Sequence, residues 1–360
     1  MIAGFRLLVC LFCYAAFLNA CRQEKKDGAF VAGIEIWYGL EQYFGIPGNP
    51  QRAINILGNA AFSDSLVALE YSLNNGQWQP LSYGTDGRRL ARQGDFNVEI
   101  LRERLKEGRN TLKIQMSDAR GNKDQVVVTV NYTEKHNWPL PYEVEWNKVD
   151  DLQKVTCITD GKWELVPEGI HTVEPWYDRI LAFGDSTWRD YEIETTVVFH
   201  DYTIPGPGPP TFNVSHAALA MRWPGHDDNG RQPRVKWYPL GATCEMQLKA
   251  NLDSCRWRIL GGMSMTEDKT RVKKIEPGKK YSMKSRVESL RGDSTLYSVK
   301  FWEYGLTEPD EWDLQAKEGP DDIQYGSGLL ISHNTDVTFG NVRFSPLSKN
   351  EKPSGQNENP

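Results

Sequence analysis

Apolar and polar residues alternate along many short segments of the chain, and this period of two predicts β-strands rather than helices. From residue 33 to 134 the strand patterns are AINILGNA, LVALEYSL, FNVEIL, NTLKIQMSD and DQVVVTVNY, separated by the turn signals NNGQ, GTDG and ARGN. Beyond them, YEIETTVVFHD, HAALAMRWPG, YSMKSRVESL, TLYSVKFWEYG and VTFGNVRFSP repeat the pattern. The sequence therefore predicts an all-β protein built from sandwiches.

Two regions are predicted, because about 320 residues with strand patterns exceed one ordinary core. The segment TEKHNWPLPYEVEW, residues 133–146, holds two prolines and shows no clear period, so we place the boundary there. We predict one domain over residues 33–134 and a second over 139–347. Residues 348–360 have the composition of a disordered tail.

A hairpin is predicted from ATCEMQLKANLDSCRWRI, residues 242–259. Period two places Cys244, Met246 and Leu248 on one face, and Glu245, Gln247 and Lys249 on the other. The returning strand groups Cys255 with Trp257 and Ile259, and sets Arg256 and Arg258 opposite. With ANLD as the turn, Cys244 lies across from Cys255, close to disulfide distance, so we expect a disulfide there.

Both regions resemble known modules. LEYSLNNGQWQPL followed by LKEGRNTLKIQMSDARGN is similar to bacterial immunoglobulin-like modules. The segments 184–201, 277–288 and 328–346, with W.DYE and FGNVRF, resemble concanavalin A-like sandwiches, including laminin-G-like domains and the 3-keto-disaccharide hydrolase type. The resemblance implies an immunoglobulin-like sandwich followed by a concanavalin A-like jelly roll, with a bias toward glycans and no assigned catalytic residue.

The first twenty residues are typical of a signal peptide, with Arg6 ahead of an apolar run too short to span a bilayer. LNAC, residues 18–21, resembles the lipobox of bacterial lipoproteins. This resemblance implies a mature chain that starts at a lipidated Cys21, with residues 21–32 as a charged tether. The alternative is an ordinary secretory signal in which Cys21 is incidental. We therefore expect a lipid-anchored protein of the bacterial cell envelope, at the outer membrane or the cell surface, that contacts the membrane through its anchor only.

The net charge of −6 is mild, and the basic residues are dispersed. A nucleic-acid-binding protein usually carries a concentrated basic patch, so we expect no nucleic-acid partner. Apart from Cys21 and the two cysteines of the signal peptide, the chain has Cys157, Cys244 and Cys255. Disulfides persist in exported proteins, and an odd number leaves Cys157 as an inert thiol.

Candidate glycan-binding residues concentrate between residues 221 and 258. Trp and Tyr faces pack against sugar rings, and Arg, Gln and Lys pair with hydroxyls and acidic groups. If the charged face of the hairpin lies on a concave sheet, it forms a groove; the alternative is an ordinary solvated sheet face. The predicted ligand-binding residues are Arg222, Trp223, Lys236, Trp237, Tyr238, Gln247, Arg256 and Arg258.

Evidence for catalysis in the sequence is sparse. Glycoside hydrolysis usually needs two carboxylates about 5–10 Å apart, and EPDEWD, residues 308–313, is read as a turn. An enzyme would use Glu245 as acid or base, with His226 as our first candidate proton carrier and His200 or His333 as alternatives. The acidic loop HDDNG, residues 226–230, is a weak candidate for calcium, and a structural calcium elsewhere is implied only by the resemblance.

The sequence favours a protein that binds polysaccharides or oligosaccharides through its second region. A carbohydrate-active enzyme, either a glycoside hydrolase or a polysaccharide lyase using the same face, is the alternative. A structural adhesion module is the third. If Arg222, Lys236, Trp237, Glu245, Gln247 and Arg258 converge on one groove, we expect ligand binding to be favoured over adhesion.

Overall fold

The structure is a computed structural model that describes residues 33–61, 66–134, 137–202, 214–237 and 240–347. The prediction of an all-β protein is confirmed, since strands arranged in four sheets account for nearly all regular structure in these ranges. The helical segments that the structure describes include only 3-10 turns, and none could span a membrane. The predicted signal peptide, Cys21, the predicted tether, Tyr238 and the predicted tail lie outside the described residues.

The N-terminal sandwich consists of two sheets that enclose one apolar core. The smaller sheet has the order β1-β3-β6 and the larger β2-β8-β7-β4-β5, in which β2 and β8 are parallel. Alternate residues of β7, such as Leu112, Ile114 and Met116, are fully buried. The strands are β1 (Gly33–Ile36), β2 (Glu41–Phe44), β3 (Ala53–Ala61), β4 (Leu66–Leu73), β5 (Gln79–Pro80), β6 (Asp95–Leu101), β7 (Gly108–Asp118) and β8 (Lys123–Tyr132).

The C-terminal sandwich also packs two sheets face to face. Its strands are β9 (Tyr142–Val144), β10 (Cys157–Asp160), β11 (Trp163–Val166), β12 (Gly169–Thr172), β13 (Arg179–Phe183), β14 (Tyr191–Asp201), β15 (His216–Trp223), β16 (Ala242–Gln247), β17 (Arg256–Gly261), β18 (Met265–Glu267), β19 (Lys280–Ser289), β20 (Thr295–Glu303), β21 (Leu314–Glu318), β22 (Ser327–His333) and β23 (Asp336–Pro346). The seven-stranded sheet has the order β10-β13-β22-β15-β16-β17-β18, and the eight-stranded sheet β11-β12-β23-β14-β19-β20-β21 with β9 on β23.

Period-two burial explains how these sheets pack. In β14, Tyr191, Ile193 and Val197 point into the core, whereas Glu192 and Glu194 point outward and pair with basic residues of neighbouring strands. The core between the sheets contains mostly aliphatic and aromatic side chains, because each strand contributes every second residue. The outer face of the seven-stranded sheet is therefore available for other contacts.

Part of that outer face packs against the N-terminal sandwich through buried polar groups. Arg89 lies in the loop before β6 and donates to the Asp160 carboxylate at 2.6 Å and to the carbonyl of Thr159 at 3.1 Å. Its guanidinium also lies 3.4 Å from the Glu99 carboxylate of β6. Since the side chains of Arg89, Asp160 and Glu99 are at most 2% exposed, this ion-pair network fixes the two sandwiches together.

The expected disulfide is wrong, because the hairpin has another register. Cys244 pairs with Ile259, and Glu245 pairs with Arg258. The connection runs over residues 248–255 instead of the four residues ANLD. Cys244 and Cys255 are both buried free thiols. The register differs from the predicted one by an even number of residues, so the predicted faces are retained: Cys244, Met246 and Leu248 lie in the core.

A reducing agent should leave the melting temperature of the protein unchanged, because no disulfide joins the described cysteines. Burial raises the pKa of Cys244 to about 12 and that of Cys157 to about 11. These thiols should therefore react with iodoacetamide only after unfolding. Thermal melts with and without dithiothreitol, with mass spectrometry of the alkylated chain, check both results. Thiols that stay unlabelled in denaturant until reductant is added would contradict the structure.

Candidate functional site

A pocket of about 280 Å³ lies on the outer face of the seven-stranded sheet, beyond the region covered by the N-terminal sandwich. Residues from β15, β16, β17 and β22 line it, together with residues that precede β13, β15 and β16. Its size is near the lower end of ordinary ligand pockets, which start at about 300 Å³. The lining residues are Tyr177, Asp178, Val214, His216, Trp237, Leu240, Thr243, Glu245, Arg258, Leu260, Ile331 and His333. We call it the sheet pocket.

Asp178 holds His333 at one side of the sheet pocket. The Asp178 carboxylate lies 2.6 Å from Nδ1 of His333 and accepts a second hydrogen bond from the indole N–H of Trp237 at 2.7 Å. Burial alone would raise the pKa of Asp178. The charges of His333 and His216 and the hydrogen bond from Trp237 have a larger combined effect, so the pKa lies below its ordinary value. Asp178 is therefore ionised at neutral pH, and it orients both the imidazole and the indole ring.

His216 stacks on His333 at the centre of the pocket. The two residues are register partners on β15 and β22, and their rings are parallel within 7° with centroids 4.4 Å apart. Burial, the charge of His333 and the charge of Arg258 hold the pKa of His216 well below its usual value. His216 is therefore neutral at physiological pH. Its Nδ1 is buried, has no hydrogen-bond partner among the described residues, and lies 3.8 Å from a Glu245 oxygen.

Glu245 and Arg258 form a cross-strand ion pair at the opposite side of the pocket. Nη2 of Arg258 lies 2.6 Å from the Glu245 carboxylate, and Nε donates to the same oxygen at 2.8 Å. Thr243 donates to the other carboxylate oxygen, and Gln247 donates to the paired one. Glu245 is 3% exposed, whereas the Arg258 side chain keeps 22% exposure. Arg258 is therefore the charged group of this pair that a ligand can reach.

Aromatic and aliphatic side chains form the rest of the pocket. The ring of Tyr177 lies 4.7 Å from that of His333 and packs under the guanidinium of Arg88. Trp237 covers the apolar cluster formed by the outer faces of β13, β15 and β22, which includes Ala218 and Ile331. Burial and nearby carboxylates raise the pKa of Tyr177, so its hydroxyl stays protonated. The pocket thus combines flat rings with hydrogen-bonding groups.

The structure brings together only some of the residues singled out from the sequence. Trp237, Glu245 and Arg258 line the sheet pocket. Gln247 is buried beside Glu245, and Arg256 lies on the same face, paired with Glu267 of β18. Tyr238 lies outside the described residues. Of the six residues expected to converge on one groove, three therefore line the pocket and Gln247 lies beside it.

Other candidates lie elsewhere. Arg222 is fully buried and bonded to groups at the far end of the sandwich, and the side chain of Trp223 is fully buried beneath Trp237. Lys236 pairs with Asp227 in solvent at 3.0 Å. His226 lies in a separate cleft of about 590 Å³ between the two sandwiches, so Glu245 and His226 line different pockets. We therefore leave these four residues out of the site.

Sequence reasoning missed Tyr177, Asp178 and His216, and it weighed His333 only as an alternative proton carrier. The segments around residues 178, 216 and 333 are far apart in the chain, and only the order β13-β22-β15 makes them neighbours. The sequence did contain one local signal. His216 is the first residue of an apolar strand and His333 is the last residue of another, and a polar residue is typical of a strand end.

Comparisons with solved structures find β-sandwich domains of low similarity. Carbohydrate-binding module CBM66 from Bacillus subtilis is 16% identical, with a TM-score of 0.36 over 53% of this chain and 94% of that one. The exoplasmic/lumenal domain of VIP36, in its Ca²⁺-bound form, is 10% identical, with a TM-score of 0.33 over 53% and 84%. Galectin LEC-6 from Caenorhabditis elegans is 8% identical, with a TM-score of 0.26 over 49% and 95%.

No protein-family model and no curated protein sequence matches the chain. The argument for function therefore rests on the geometry of the site.

Proposed function

We propose that the sheet pocket binds a sugar ring of a polysaccharide or oligosaccharide. The observation that carries this proposal is the convergence of Trp237 and Tyr177 with the Glu245–Arg258 pair in one pocket. Aromatic faces accept the C–H face of a sugar, while Arg258 and the imidazoles offer partners to its hydroxyls. The pocket is large enough for one ring but too small for a buried chain, so it holds a terminal or branching unit.

Neutral sugars fit the charges of the pocket better than acidic ones. Glu245 already neutralises Arg258, and Asp178 adds a second carboxylate. A uronate or sulfate would bring its negative charge close to these two carboxylates in a partly desolvated site. We therefore expect hydroxyl-rich neutral glycans to be preferred.

The N-terminal sequence adds a location to this proposal. A chain lipidated at Cys21 would present the pocket at the bacterial cell envelope, with the N-terminal sandwich as a spacer. The division into an immunoglobulin-like domain and a concanavalin A-like domain is part of the same proposal.

Trp237→Ala should weaken glycan binding about tenfold or more, because a buried aromatic ring at the centre of a contact usually dominates the affinity. Retention on affinity gels with neutral, uronic and sulfated polysaccharides measures the change. Trp312→Ala is the matched control, since Trp312 packs on Lys300 and Arg286 of the other sheet. Equal retention of the Trp237→Ala variant and the unaltered protein, with both folded, would contradict the proposal, as would failure to bind any glycan in the panel.

A carbohydrate-active enzyme is the second candidate, and the Asp178–His333 pair favours it. A carboxylate that fixes the tautomer of an imidazole is the usual arrangement for a general base. Release of reducing or unsaturated ends from the same panel tests this function. Loss of product in Asp178→Asn, with glycan retention kept, would support catalysis. Retention without products in the unaltered protein would leave binding as the function.

A further inference from the structure

A second group of histidines lies on the outer surface of the eight-stranded sheet, away from the sheet pocket. His171 of β12, Asp336 of β23 and His200 of β14 belong to three adjacent strands. Each offers one nitrogen or oxygen, and these ligand atoms all lie within 4.8 Å of one another. None of these residues lines the sheet pocket.

Strand register explains why the three side chains meet. His171 is the cross-strand partner of Thr338, and Asp336 lies two residues before Thr338 on the same face of β23. On the other side, β14 has an irregularity between Phe199 and Asp201, after which Asp201 pairs with Asp336. Such bulges redirect side chains near sheet ends. Here the His200 imidazole comes within 2.8 Å of the Thr338 hydroxyl.

The distances within this cluster suit a small cation. Nε2 of His171 lies 3.6 Å from Oδ1 of Asp336, and the Thr338 hydroxyl lies 3.1 Å from Nδ1 of His171. Ligand atoms at about 2.0–2.1 Å from a tetrahedral zinc are about 3.3 Å apart. The His171 and His200 rings are inclined at 71°, with centroids 5.3 Å apart. Small side-chain rotations would therefore direct both imidazoles and the carboxylate to one point.

Asp336 offers a carboxylate oxygen that a cation could take up. Its Oδ1 is buried and has no hydrogen-bond partner among the described residues. A divalent ion would neutralise the Asp336 carboxylate and give its buried oxygen a partner.

The histidines of the sheet pocket are less suited to a metal. Asp178, His216 and His333 also lie close enough to form a ligand set. However, the two rings are parallel and stacked, and an imidazole nitrogen presents its lone pair in the plane of its ring. Parallel rings cannot both aim at one ion, and Asp178 already accepts from Trp237. The two clusters therefore have different chemistry.

We propose that His171, His200 and Asp336 form a binding site for a divalent transition metal such as Zn²⁺. Two imidazoles and a carboxylate are ligands that zinc and its neighbours in the first transition row prefer, whereas calcium prefers oxygen ligands. The ion ties β12 to β14 across β23. Metal bound to the folded state alone stabilises it by mass action.

Zinc titration of chelator-treated, untagged protein tests the site. Isothermal titration calorimetry should give one Zn²⁺ per chain, and zinc should raise the melting temperature. The double variant His171→Gln/His200→Gln should bind zinc more than about 100-fold more weakly, because losing even an outer-shell partner costs 10–100-fold. Asp336→Asn should show a similar loss. The matched control His216→Gln/His333→Gln should keep the affinity of the unaltered protein.

Circular dichroism melts without metal establish that each variant folds. The absorption spectrum of bound Co²⁺ reports ligand geometry without depending on stability. Zinc affinity that is lost in the control and kept in His171→Gln/His200→Gln would place the metal in the sheet pocket and overturn the proposal. Failure of the unaltered protein to take up zinc or cobalt in equilibrium dialysis would also overturn it. Neither result depends on glycan binding, so this proposal and the proposed function fail separately.

Discussion

Arg89→Met should lower the free energy of unfolding by about 3–5 kcal/mol at pH about 7.5, which is the usual cost of removing one partner from a buried ion pair. The Arg89 side chain is 2% exposed, and it faces Asp160 and Glu99, which are also buried. Methionine fills a similar volume but donates no hydrogen bond. The variant therefore removes the Arg89 donor from two buried carboxylates and from the carbonyl of Thr159 at the junction of the two sandwiches. These acceptors keep only their weaker set of hydrogen bonds, which come from Asn97 and Arg234.

The loss of unfolding free energy in Arg89→Met should be smaller near pH 5 than at pH about 7.5. Burial raises the pKa of Asp160 to about 6, although the charges of Arg89 and Arg179 oppose this. A carboxyl whose pKa is higher in the folded state than in the unfolded state stabilises the fold at low pH. For Asp160 this contribution to the free energy of unfolding is lost as the pH rises through about 6. Removing Arg89 raises the pKa of Asp160 further. The difference in unfolding free energy between the two proteins should therefore be largest above pH 6 and decrease toward pH 5.

Urea denaturation at several pH values measures this difference. Arg52→Met is the matched control, because Arg52 also joins the two sandwiches, at 3.4 Å from Asp227, but its side chain is 61% exposed. We expect the control to cost at most about 1 kcal/mol. A loss for Arg89→Met that is no larger than that of Arg52→Met would show that the buried network does not fix the interface.

Arg222→Ala should also destabilise the protein by about 3–5 kcal/mol. All five N–H groups of this fully buried guanidinium have partners. They donate to Thr295, to Ser289, to Asp190 and to the carbonyls of Arg189 and Ile323. Alanine leaves these acceptors without a donor and leaves a cavity between the sheets. Arg222→Lys should restore only part of the loss, because one ammonium group cannot replace a planar fork of donors.

Thermal and urea unfolding of Arg222→Ala beside Arg343→Ala tests this expectation. Arg343 pairs with Glu194 at 2.8 Å on the outer face of the eight-stranded sheet, and its side chain is 54% exposed. The control should therefore change the stability by about 0–1 kcal/mol. If Arg222→Ala is as stable as Arg343→Ala but loses glycan retention, then Arg222 acts in binding, as the sequence suggested, and not in the core.

Period two in the sequence predicted the faces of the strands, because alternation in one strand needs no knowledge of its partner. The register depends on the length of the connection. For the β16–β17 hairpin the predicted length was wrong, so the predicted disulfide does not form. Arg222 shows a second limit. The pairing of β15 shifts between Ala220 and Trp223, and Arg222 has a φ of 55°, so its side chain turns into the interior. No pattern in HAALAMRWPG indicates that shift.

The candidate site was predictable only where it is local in sequence. Trp237, Glu245 and Arg258 come from one stretch of 22 residues whose composition is unusual. Asp178 and His333 meet because β22 lies between β13 and β15, a pairing that depends on the complete sheet. His171 and Asp336 likewise meet only because β12 lies beside β23 in the complete sheet. Sequence patterns define which way a side chain points, whereas long-range strand order decides which side chains it meets.

The strand order also has a consequence for synthesis. The last two strands, β22 and β23, lie in the interior of their sheets, between β13 and β15 and between β12 and β14. A nascent chain that has not yet released residues 327–346 from the ribosome lacks the middle of both sheets. The C-terminal sandwich can therefore close only after residues 327–346 have emerged, whereas every described strand of the N-terminal sandwich emerges earlier. Chains that terminate early would expose unpaired edges on both sides of each gap, which makes them substrates for proteolysis and aggregation.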